Sequence, residues 1–531
     1  MTMKRLVAFV GASLLAVCVS VVAIGASGCG SSSSDGAGGG ASDGAAQDGT
    51  FGDGASSLDG GGAETSTQAP DGAACGPAAC TGIAGACGTM VDACGQTVTC
   101  EPCRYTRQDV DAGSVEWLAL AMRPADTSPT LAIGSQGTVK LATASGSGWQ
   151  YEQVAPQGDA GAPSLYGLDL AIAPDGSPWL AFVDLAGGTA HASVAHRAAG
   201  AWTLDPLGTA SAAAVAIADD GTPYVAYAGS VTGQPAGTNG AVLASYSGGA
   251  WTRTLVAASN RVGYVALAMH GNEPHLAWLD NGSTVRYARP NGAAFTVEDV
   301  DTITTLGASF YLAIAVDTAG RPHVGYYPYG AAMHAVRDAA WTRDTVTGSG
   351  HGNGPMHVAT SPGGQLAFGA IDDVFGTLMM GFGGKPWSLQ ELSGNCRSGT
   401  PRMAMAFDGA GALHVAHTCG IFGGVTLLAQ SGIYPVGYGA ACDSIVTSLC
   451  NTACACPRKT GGDCCISSST GSECMGPVSY CPNSERGHFC SDPTIDPVSV
   501  FACRDDLAQT ACNPDGGAGA ILTPACTAIH R

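Results

Sequence analysis

The sequence has few charged residues and almost no lysine. Charged side chains make up 12% of the 531 residues, and the only lysines are Lys4, Lys140, Lys385 and Lys459. Between Arg5 and Arg104 there is neither lysine nor arginine, and the formal net charge is −20. Such a surface repels phosphate backbones, so we expect no nucleic-acid partner.

Cysteine is nearly absent from the centre of the chain, where Cys396 and Cys419 are the only two between residues 104 and 441. The remaining cysteines cluster on either side of this stretch. Residues 74–103 form a Cys-rich module with Cys75, Cys80, Cys87, Cys94, Cys100 and Cys103. Residues 437–531 form a second Cys-rich domain with Cys442, Cys450, Cys454, Cys456, Cys464, Cys465, Cys474, Cys481, Cys490, Cys503, Cys512 and Cys526.

Both Cys-rich regions are predicted to be held by disulfides because the chain carries an export signal. Their connectivity cannot be deduced from spacing. Zinc binding through Cys100 and Cys103, or through Cys454 and Cys456, is the alternative.

The amino terminus has the pattern of a bacterial lipoprotein signal. Lys4 and Arg5 precede an apolar run over residues 6–24, and a small-residue site ends at Cys29. Residues 1–29 are therefore predicted to be a signal peptide, with Cys29 lipidated. Ala26 stands where such signals usually have leucine, so a plain secretory signal or an uncleaved anchor stays open. Residues 30–73, rich in Gly, Ser, Ala and Asp, are predicted to be a disordered tether.

Seven copies of an Ala-rich strand pattern recur along residues 104–436. The clearest copy, Leu170–Ala173, is followed by the turn sequence Pro174–Pro178 and a second strand that starts at Trp179. The other copies start at Leu118, Val215, Val265, Leu312, Val358 and Met403. In this turn, glycine supplies a positive φ and aspartate can bond to the nearby backbone.

An aromatic residue marks the last strand of each unit, and these markers recur every 44–53 residues: Trp149, Trp202, Trp251, Phe295, Trp341 and Trp387. A period of this length with about four short strands per unit predicts an all-β, seven-bladed β-propeller over residues 104–436. The outer strand 105–110 has no unit before it, so it is predicted to complete the seventh blade. Closure by residues 433–438 is the competing prediction.

Long connections on one face of this propeller predict a loop-rich binding face. Cys396 and Cys419 lie on it, and we expect a disulfide between them that stabilises the fold by about 3 kcal/mol. The candidate ligand residues there are Asp184, Asp280, Tyr329, Asp372 and Asp373. Their oxygens could hold a sugar or a cation such as calcium, or they could be solvated loop ends. His275, His323 and His414 occupy equivalent strand positions in separate blades, which favours packing over a metal site.

The units resemble the sialidase-like propellers of bacterial surface lipoproteins, and the module at Cys87–Cys103 resembles one common in exported myxobacterial surface proteins. The resemblance implies a propeller fold and a cell-surface location. The sialidase Asp-box has one residue between Asp and Gly, whereas Asp175–Gly176, Asp220–Gly221 and Asp408–Gly409 are adjacent pairs. The propeller glutamates sit at unrelated places, and no nucleophile or phosphate-loop motif occurs.

We therefore expect a monomeric, lipid-anchored envelope protein of a Gram-negative bacterium, at the outer membrane or cell surface, without a cofactor or metal. Its expected role is non-catalytic binding or adhesion to a glycan or protein through the loop-rich face. A sialidase-like glycoside hydrolase and a structural display protein are the two alternatives.

Overall fold

A computed structural model describes most of the chain from Cys87 to Ile433. The described residues are 80, 87–91, 94, 96–111, 113–135, 138–146, 148–154, 166–186, 188–198, 200–231, 239–304, 311–328, 331–347, 354–372, 377–385, 387–393, 396, 402–418, 424–433, 465–468, 471–474, 511–512 and 520–521. The chain divides into two units, residues 1–64 and 65–531, and all of these residues belong to the second. The predicted signal peptide, Cys29 and the tether to residue 73 lie outside them.

The described chain consists of short antiparallel strands. The Cys-rich module holds β1 (Thr89–Val91) and β2 (Thr97–Thr99), and β3 (Cys103–Asp111) follows. The next three groups are β4 (Trp117–Met122), β5 (Pro129–Ser135), β6 (Thr138–Ser145) and β7 (Gly148–Gln153); β8 (Tyr166–Ile172), β9 (Pro178–Ala186), β10 (Thr189–Ala198) and β11 (Ala201–Ile217); β12 (Pro223–Ser230), β13 (Asn239–Ser247) and β14 (Ala250–Ala258).

The remaining strands continue the same pattern. They are β15 (Val262–His270), β16 (Glu273–Asp280), β17 (Thr284–Asn291) and β18 (Ala294–Thr302); β19 (Leu312–Val316), β20 (Pro322–Tyr326), β21 (Met333–Arg337) and β22 (Trp341–Thr345); β23 (Met356–Thr360), β24 (Leu366–Asp372), β25 (Thr377–Phe382) and β26 (Ser388–Ser393); β27 (Met403–Phe407), β28 (Leu413–His417) and β29 (Val425–Ile433). Nearer the carboxyl end lie β30 (Cys465–Ser468), β31 (Gly471–Cys474), β32 (Ala511–Cys512) and β33 (Ala520–Ile521).

These strands form successive four-stranded units, which we call blades 1 to 7. Blade 1 is β4–β7, blade 2 is β8–β11, blade 3 is β11–β14, blade 4 is β15–β18, blade 5 is β19–β22, blade 6 is β23–β26, and blade 7 is β27–β29 with β3. The prediction of an all-β repeat protein is confirmed. Innermost strands of consecutive blades contact one another, and β27 contacts β4. This arrangement is a β-propeller.

Blades 2 and 3 are joined without a loop. The 17-residue strand β11 pairs with β10 in its first part and with β12 in its second, so it is outermost in one blade and innermost in the next. Register shifts at Ala192/Ser193 and Ala210/Ala212 mark β-bulges, which bend a strand and increase its twist. A bulged strand can therefore pass from one blade to the next.

The innermost strands alternate large and small side chains, and the two kinds pack against different neighbouring blades. Leu118 and Leu120 pack in one core cluster with Ala404 of blade 7, whereas Ala119 packs in another with Leu170 of blade 2. Alternate side chains of a strand point to opposite faces of its sheet. This inner strand thus presents leucine to the preceding blade and alanine to the following one, and the small alanines let the strands converge.

The turns between the first and second strands carry the predicted chemistry. The carboxylate of Asp175 accepts a hydrogen bond of 2.8 Å from the backbone N–H of Ser177, and Gly176 has φ 86°. Asp408 does the same for the N–H groups of Ala410 and Ala412 at 2.9 and 2.8 Å. The aspartate and glycine signals in the sequence therefore specify these turns directly.

Tryptophan and carboxylate side chains join the outermost strands of neighbouring blades. Each indole N–H donates a 2.9 Å hydrogen bond to an acid of the preceding blade: Trp202 to Glu152, Trp251 to Asp205, Trp341 to Glu298 and Trp387 to Asp344. Each acid lies three residues after the aromatic residue of its own blade. The expectation that the glutamates occupy unrelated places is wrong for Glu152 and Glu298, which are equivalent.

The junction between blades 3 and 4 lacks both partners of this contact. Blade 4 has Phe295 at the tryptophan position, and blade 3, which precedes it, has Thr254 at the acid position. Phenylalanine has no N–H to donate, so no acceptor is needed there. The joint departure supports the view that the acids serve the junctions between blades.

Removing one of these hydrogen bonds should destabilise the fold. For Trp341→Phe, which keeps the ring but deletes the N–H, we expect a loss of about 1–2 kcal/mol in the free energy of unfolding, because the acceptor is charged and half-buried. Urea denaturation would measure it. The control is a double-mutant cycle with Glu298→Gln. Strictly additive losses would contradict direct coupling between the two side chains.

The Cys-rich module packs against blades 6 and 7. Disulfides join Cys80 to Cys100 and Cys87 to Cys103. Cys94 is also in a disulfide, and so is Cys396. Cys87 and Cys103 are fully buried in one cluster with residues of both blades. The other predicted disulfide cysteines, Cys75, Cys419 and those from Cys442 to Cys526, lie outside the described residues or are described by backbone alone.

Glutamine side chains attach this module to the blades. The Gln365 side chain donates a 2.8 Å hydrogen bond to the carbonyl of Cys87, and Gln390 exchanges two hydrogen bonds with the backbone of Cys103. Cys103 is also the first residue of β3. The disulfide and the amide contacts therefore fix the start of the strand that pairs with β29.

The backbone near the carboxyl end forms a small sheet of its own. The order of its strands is β31-β30-β33-β32, with β30 parallel to β33 and the other pairs antiparallel. Cys465 pairs in register with Cys474 across β30 and β31.

Candidate functional site

Two of the predicted ligand residues, Asp184 and Asp280, are described in full and are held by structural contacts. Asp184 accepts a 2.7 Å hydrogen bond from the hydroxyl of Ser193. Asp280 is only 2% exposed, pairs with Arg286 at 2.8 Å and accepts a hydrogen bond from Ser259. A buried carboxylate with a cation and a hydroxyl partner is satisfied, so the carboxylate of Asp280 is already engaged within the protein.

The other predicted ligand residues cannot be placed at the level of side chains. Asp372 ends β24 with its backbone paired to Thr377, and Tyr329 and Asp373 lie outside the described residues. So does most of the predicted loop-rich face, namely residues 155–165, 232–238, 305–310, 348–353 and 397–400. The grouping of the five predicted ligand residues therefore stays a prediction.

The three histidines predicted to pack in separate blades are all buried. The Nδ1 of His275 lies 2.6 Å from the hydroxyl of Tyr287, and burial lowers the pKa of His275 to about 4. In blade 5, His323 lies 3.0 Å from His334, whose other ring nitrogen lies 2.8 Å from Asp344.

His414 contacts the turn carboxylate of Asp408 at 3.3 Å. Within the part of the chain that the structure describes, no group of three or more His, Cys, Asp or Glu side chains is arranged to hold a metal ion. Of the same residues, none belongs to a helix long and apolar enough to cross a membrane.

A polar cleft of 250 Å³ lies between blades 1 and 2. Its lining includes Arg123, Thr130, Thr143, Glu152, Asp175 and Arg197. Arg123 and Asp175 belong to the short turns between first and second strands, so the cleft is at the opposite end of the strands from the long loops. The predicted face and this cleft are on different sides of the propeller.

The charged groups of the cleft are mostly paired. Arg123 forms a 2.8 Å ion pair with Asp126, and Arg197 pairs with Glu152 while lying over the ring of Trp202. Glu152 uses one oxygen for Arg197 and the other for the indole N–H of Trp202. These contacts fix the side chains, as a binding site requires.

Two buried polar atoms of the cleft have no hydrogen-bond partner among the described residues. They are Oγ1 of Thr130, a residue that is 2% exposed, and Nε of Arg123. Leaving such a group unsatisfied costs about 1–3 kcal/mol. Buried polar groups without partners are uncommon in folded proteins, and both of these atoms belong to residues that line the cleft.

The turn that carries Arg123 is conformationally strained. Thr127 has φ 56°, a left-handed conformation that a β-branched residue rarely adopts. Its N–H donates to the carbonyl of Arg123 at 3.0 Å, and Asp126 accepts from the N–H of Ser128 at 3.1 Å. Strain of this kind persists where surrounding contacts enforce it, and here it holds Asp126 in place to orient Arg123.

Sequence reasoning missed this site, although the sequence carries a signal for it. Thr130 occupies the strand position that holds Trp179 in blade 2 and His275 in blade 4, as the register with the first strands shows. A small hydroxyl where blades 2 and 4 have large rings leaves space between blades 1 and 2. Threonine at position 130, together with Glu152 three residues after Trp149, was the signal in the sequence for this cleft.

Comparison with known proteins identifies no family. No protein-family model and no curated protein matches the chain. A Penicillium chrysogenum alpha-L-arabinanase complexed with arabinobiose is 12% identical with a TM-score of 0.39, over 62% of this chain and 98% of that one. A Staphylococcus aureus virginiamycin B lyase with quinupristin is 10% identical with a TM-score of 0.43, over 61% and 99%.

A lectin is among the similar structures as well. The Aleuria aurantia lectin in complex with Fucalpha1-6GlcNAc is 12% identical with a TM-score of 0.36, over 51% of this chain and 94% of that one. At these TM-scores the likenesses carry no argument about function.

Proposed function

We propose that this protein is a non-catalytic glycan-binding module of the cell envelope, built on a seven-bladed propeller that β3 closes. A lipidated Cys29 and the following tether would hold it at the outer membrane or cell surface. The proposal rests on one observation, the cleft between blades 1 and 2 with its two unsatisfied buried polar atoms. Closure by β3 is supported by its pairing with β29.

The contacts in the cleft favour binding over hydrolysis. A glycosidase needs one carboxyl group that can donate a proton and a second that acts as a base or nucleophile. Both oxygens of Glu152 accept hydrogen bonds from cationic or indole donors, and Asp175 accepts one from the backbone N–H of Ser177. Acids held in this way are suited to fixing donors in position.

The test is a glycan array probed with the mature protein, with and without calcium. We expect a reproducible hit that calcium does not change. The variant Thr130→Val should weaken it about 10-fold or more, because a sugar hydroxyl then loses its buried partner. Thr252→Val, at an exposed position of β14, is the matched control and should bind like the wild type. An array without hits would overturn the proposal.

A further inference from the structure

The charges of the cleft disfavour an acidic ligand. Arg123 is paired with Asp126, and Arg197 is paired with Glu152, so a ligand carboxylate would have to compete with these two acids for either cation. Asp175 adds a further negative charge to the lining. A uronate or another acidic sugar would therefore meet no net positive charge, whereas a neutral sugar needs none.

The size of the cleft limits the ligand to one sugar ring. Its volume of 250 Å³ is below the range of about 300–1,000 Å³ that is usual for sites enclosing larger ligands. Leu141, Ile172 and Pro178 supply an apolar part of the lining, suited to the C–H face of a pyranose. The ligand is therefore a terminal residue of a glycan.

The two unsatisfied atoms match a pair of sugar hydroxyls. Arg123 Nε can only donate a hydrogen bond, whereas Thr130 Oγ1 can both donate and accept. Thr143 lies directly opposite Thr130 in the register of β5 and β6 and also lines the cleft. Two adjacent hydroxyls of one ring, one accepting from Arg123 and one exchanging with Thr130, would satisfy both atoms.

The junction between blades 4 and 5 repeats the same framework. Glu298 accepts hydrogen bonds from Arg337 and from the indole of Trp341, as Glu152 does from Arg197 and Trp202. There, however, the positions of Arg123 and Thr130 hold His270 and His275. The His270 ring lies 3.2 Å from where Gly320 would carry a Cβ, so it packs against the turn of blade 5.

We infer that the cleft of blades 1 and 2 binds one terminal neutral pyranose through two adjacent hydroxyls, and that the junction of blades 4 and 5 is the same kind of site filled by two histidines. This inference rests on the proposed function and adds its ligand class and its stoichiometry. Of these two junctions, therefore, only the one between blades 1 and 2 binds a sugar.

The first experiment titrates the mature protein with methyl glycosides of neutral hexoses and with methyl glucuronide, using calorimetry. We expect saturable binding of at least one neutral glycoside at one site per chain, at least 10-fold weaker binding of the glucuronide, and loss of binding in Arg123→His/Thr130→His. Equal or tighter binding of the glucuronide would overturn the inference.

The second experiment opens the filled junction. His270→Arg/His275→Thr should raise the stoichiometry from one to two sites per chain, with circular dichroism used to confirm folding. A folded double variant that keeps one site would overturn the part of the inference on blade 4. If the variant does not fold, the loss in Arg123→His/Thr130→His and the glucuronide ratio decide the matter.

The two levels of the hypothesis fail differently. Suppose that array glycans bind, but that no neutral monosaccharide displaces them and that Thr130→Val does not weaken their binding. This result would refute the inference and leave glycan binding intact. The absence of any glycan ligand would refute the proposed function itself.

Discussion

The free energy of unfolding is expected to fall by about 3 kcal/mol for each pH unit between pH 6 and pH 4. Burial lowers the pKa of His275 and of His357 to about 4 and that of His417 to about 3. In the unfolded chain these groups take up protons near pH 6.5. The unfolded state therefore binds more protons than the folded state in this window, and stability is lost as the pH falls.

One carboxyl group acts in the opposite direction. Burial raises the pKa of Asp169 to about 6, although its oxygens accept hydrogen bonds from the N–H groups of Leu170 and Val215 at 2.9 Å. Its contribution is fully present below its unfolded pKa and is lost as the pH rises through 6. Three histidines against one aspartate leave a net of about two protons, each worth about 1.4 kcal/mol per pH unit. His323 and His414, whose pKa values burial also lowers, act in the same direction as the three histidines.

Two single substitutions test this account, because five other blades have alanine at the inner-strand position of Asp169 and His357: Ala119, Ala214, Ala266, Ala313 and Ala404. His357→Ala should reduce the pH slope by about 1.4 kcal/mol per unit, and Asp169→Ala should increase it by the same amount. Urea unfolding at pH 6, 5 and 4 measures both slopes. A wild-type slope near zero, or two variants with the same slope, would show the account to be incorrect.

The sequence was sufficient for features that depend on residues close together in the chain. The turn at Asp175–Gly176 and the alternation in Leu170–Ala173 are local patterns, and both hold in the structure. The aromatic markers were also correct: Trp149, Trp202, Trp251, Phe295 and Trp341 lie at the start of the last strand of their blades, and Trp387 immediately precedes one.

Contacts between blades could not be derived in the same way. The pairing of Trp202 with Glu152 spans 50 residues, and its geometry depends on how neighbouring sheets pack. The sequence did not predict that β11 is continuous, because the long connections elsewhere suggested a loop between every pair of blades. The cleft is defined by Thr130, whose small size matters only because its neighbours in space belong to another blade.

The candidate ligand residues were chosen for their position at strand ends and for their charge. Asp280 shows why this criterion is insufficient. Its position is equivalent to that of Asp184, as predicted, but its carboxylate forms an ion pair with Arg286. Whether an acid is available to a ligand depends on its cross-strand partners. Those partners are set by register, which the turn lengths alone do not reveal.

Substituting Tyr105 in β3 is expected to cause the largest loss of stability from a single change. Tyr105 is 2% exposed and packs in the cluster that joins blades 6 and 7 to the Cys-rich module. Truncating a buried aromatic side chain costs about 3–5 kcal/mol. Here the loss also weakens the strand that pairs with β29, and an unpaired β29 would present an open edge to other molecules.

The measurement compares Tyr105→Ala with Leu204→Ala by urea denaturation and light scattering. Leu204 lies on the outermost strand of blade 2 and is 43% exposed, so its truncation should change stability by less than about 0.5 kcal/mol. The competing closure by residues 433–438 predicts the reverse pattern, with little effect at Tyr105 and a large one at Tyr434. Ile433 already pairs with Cys103 as the last residue of β29, so we expect Tyr105→Ala to destabilise the protein and promote association.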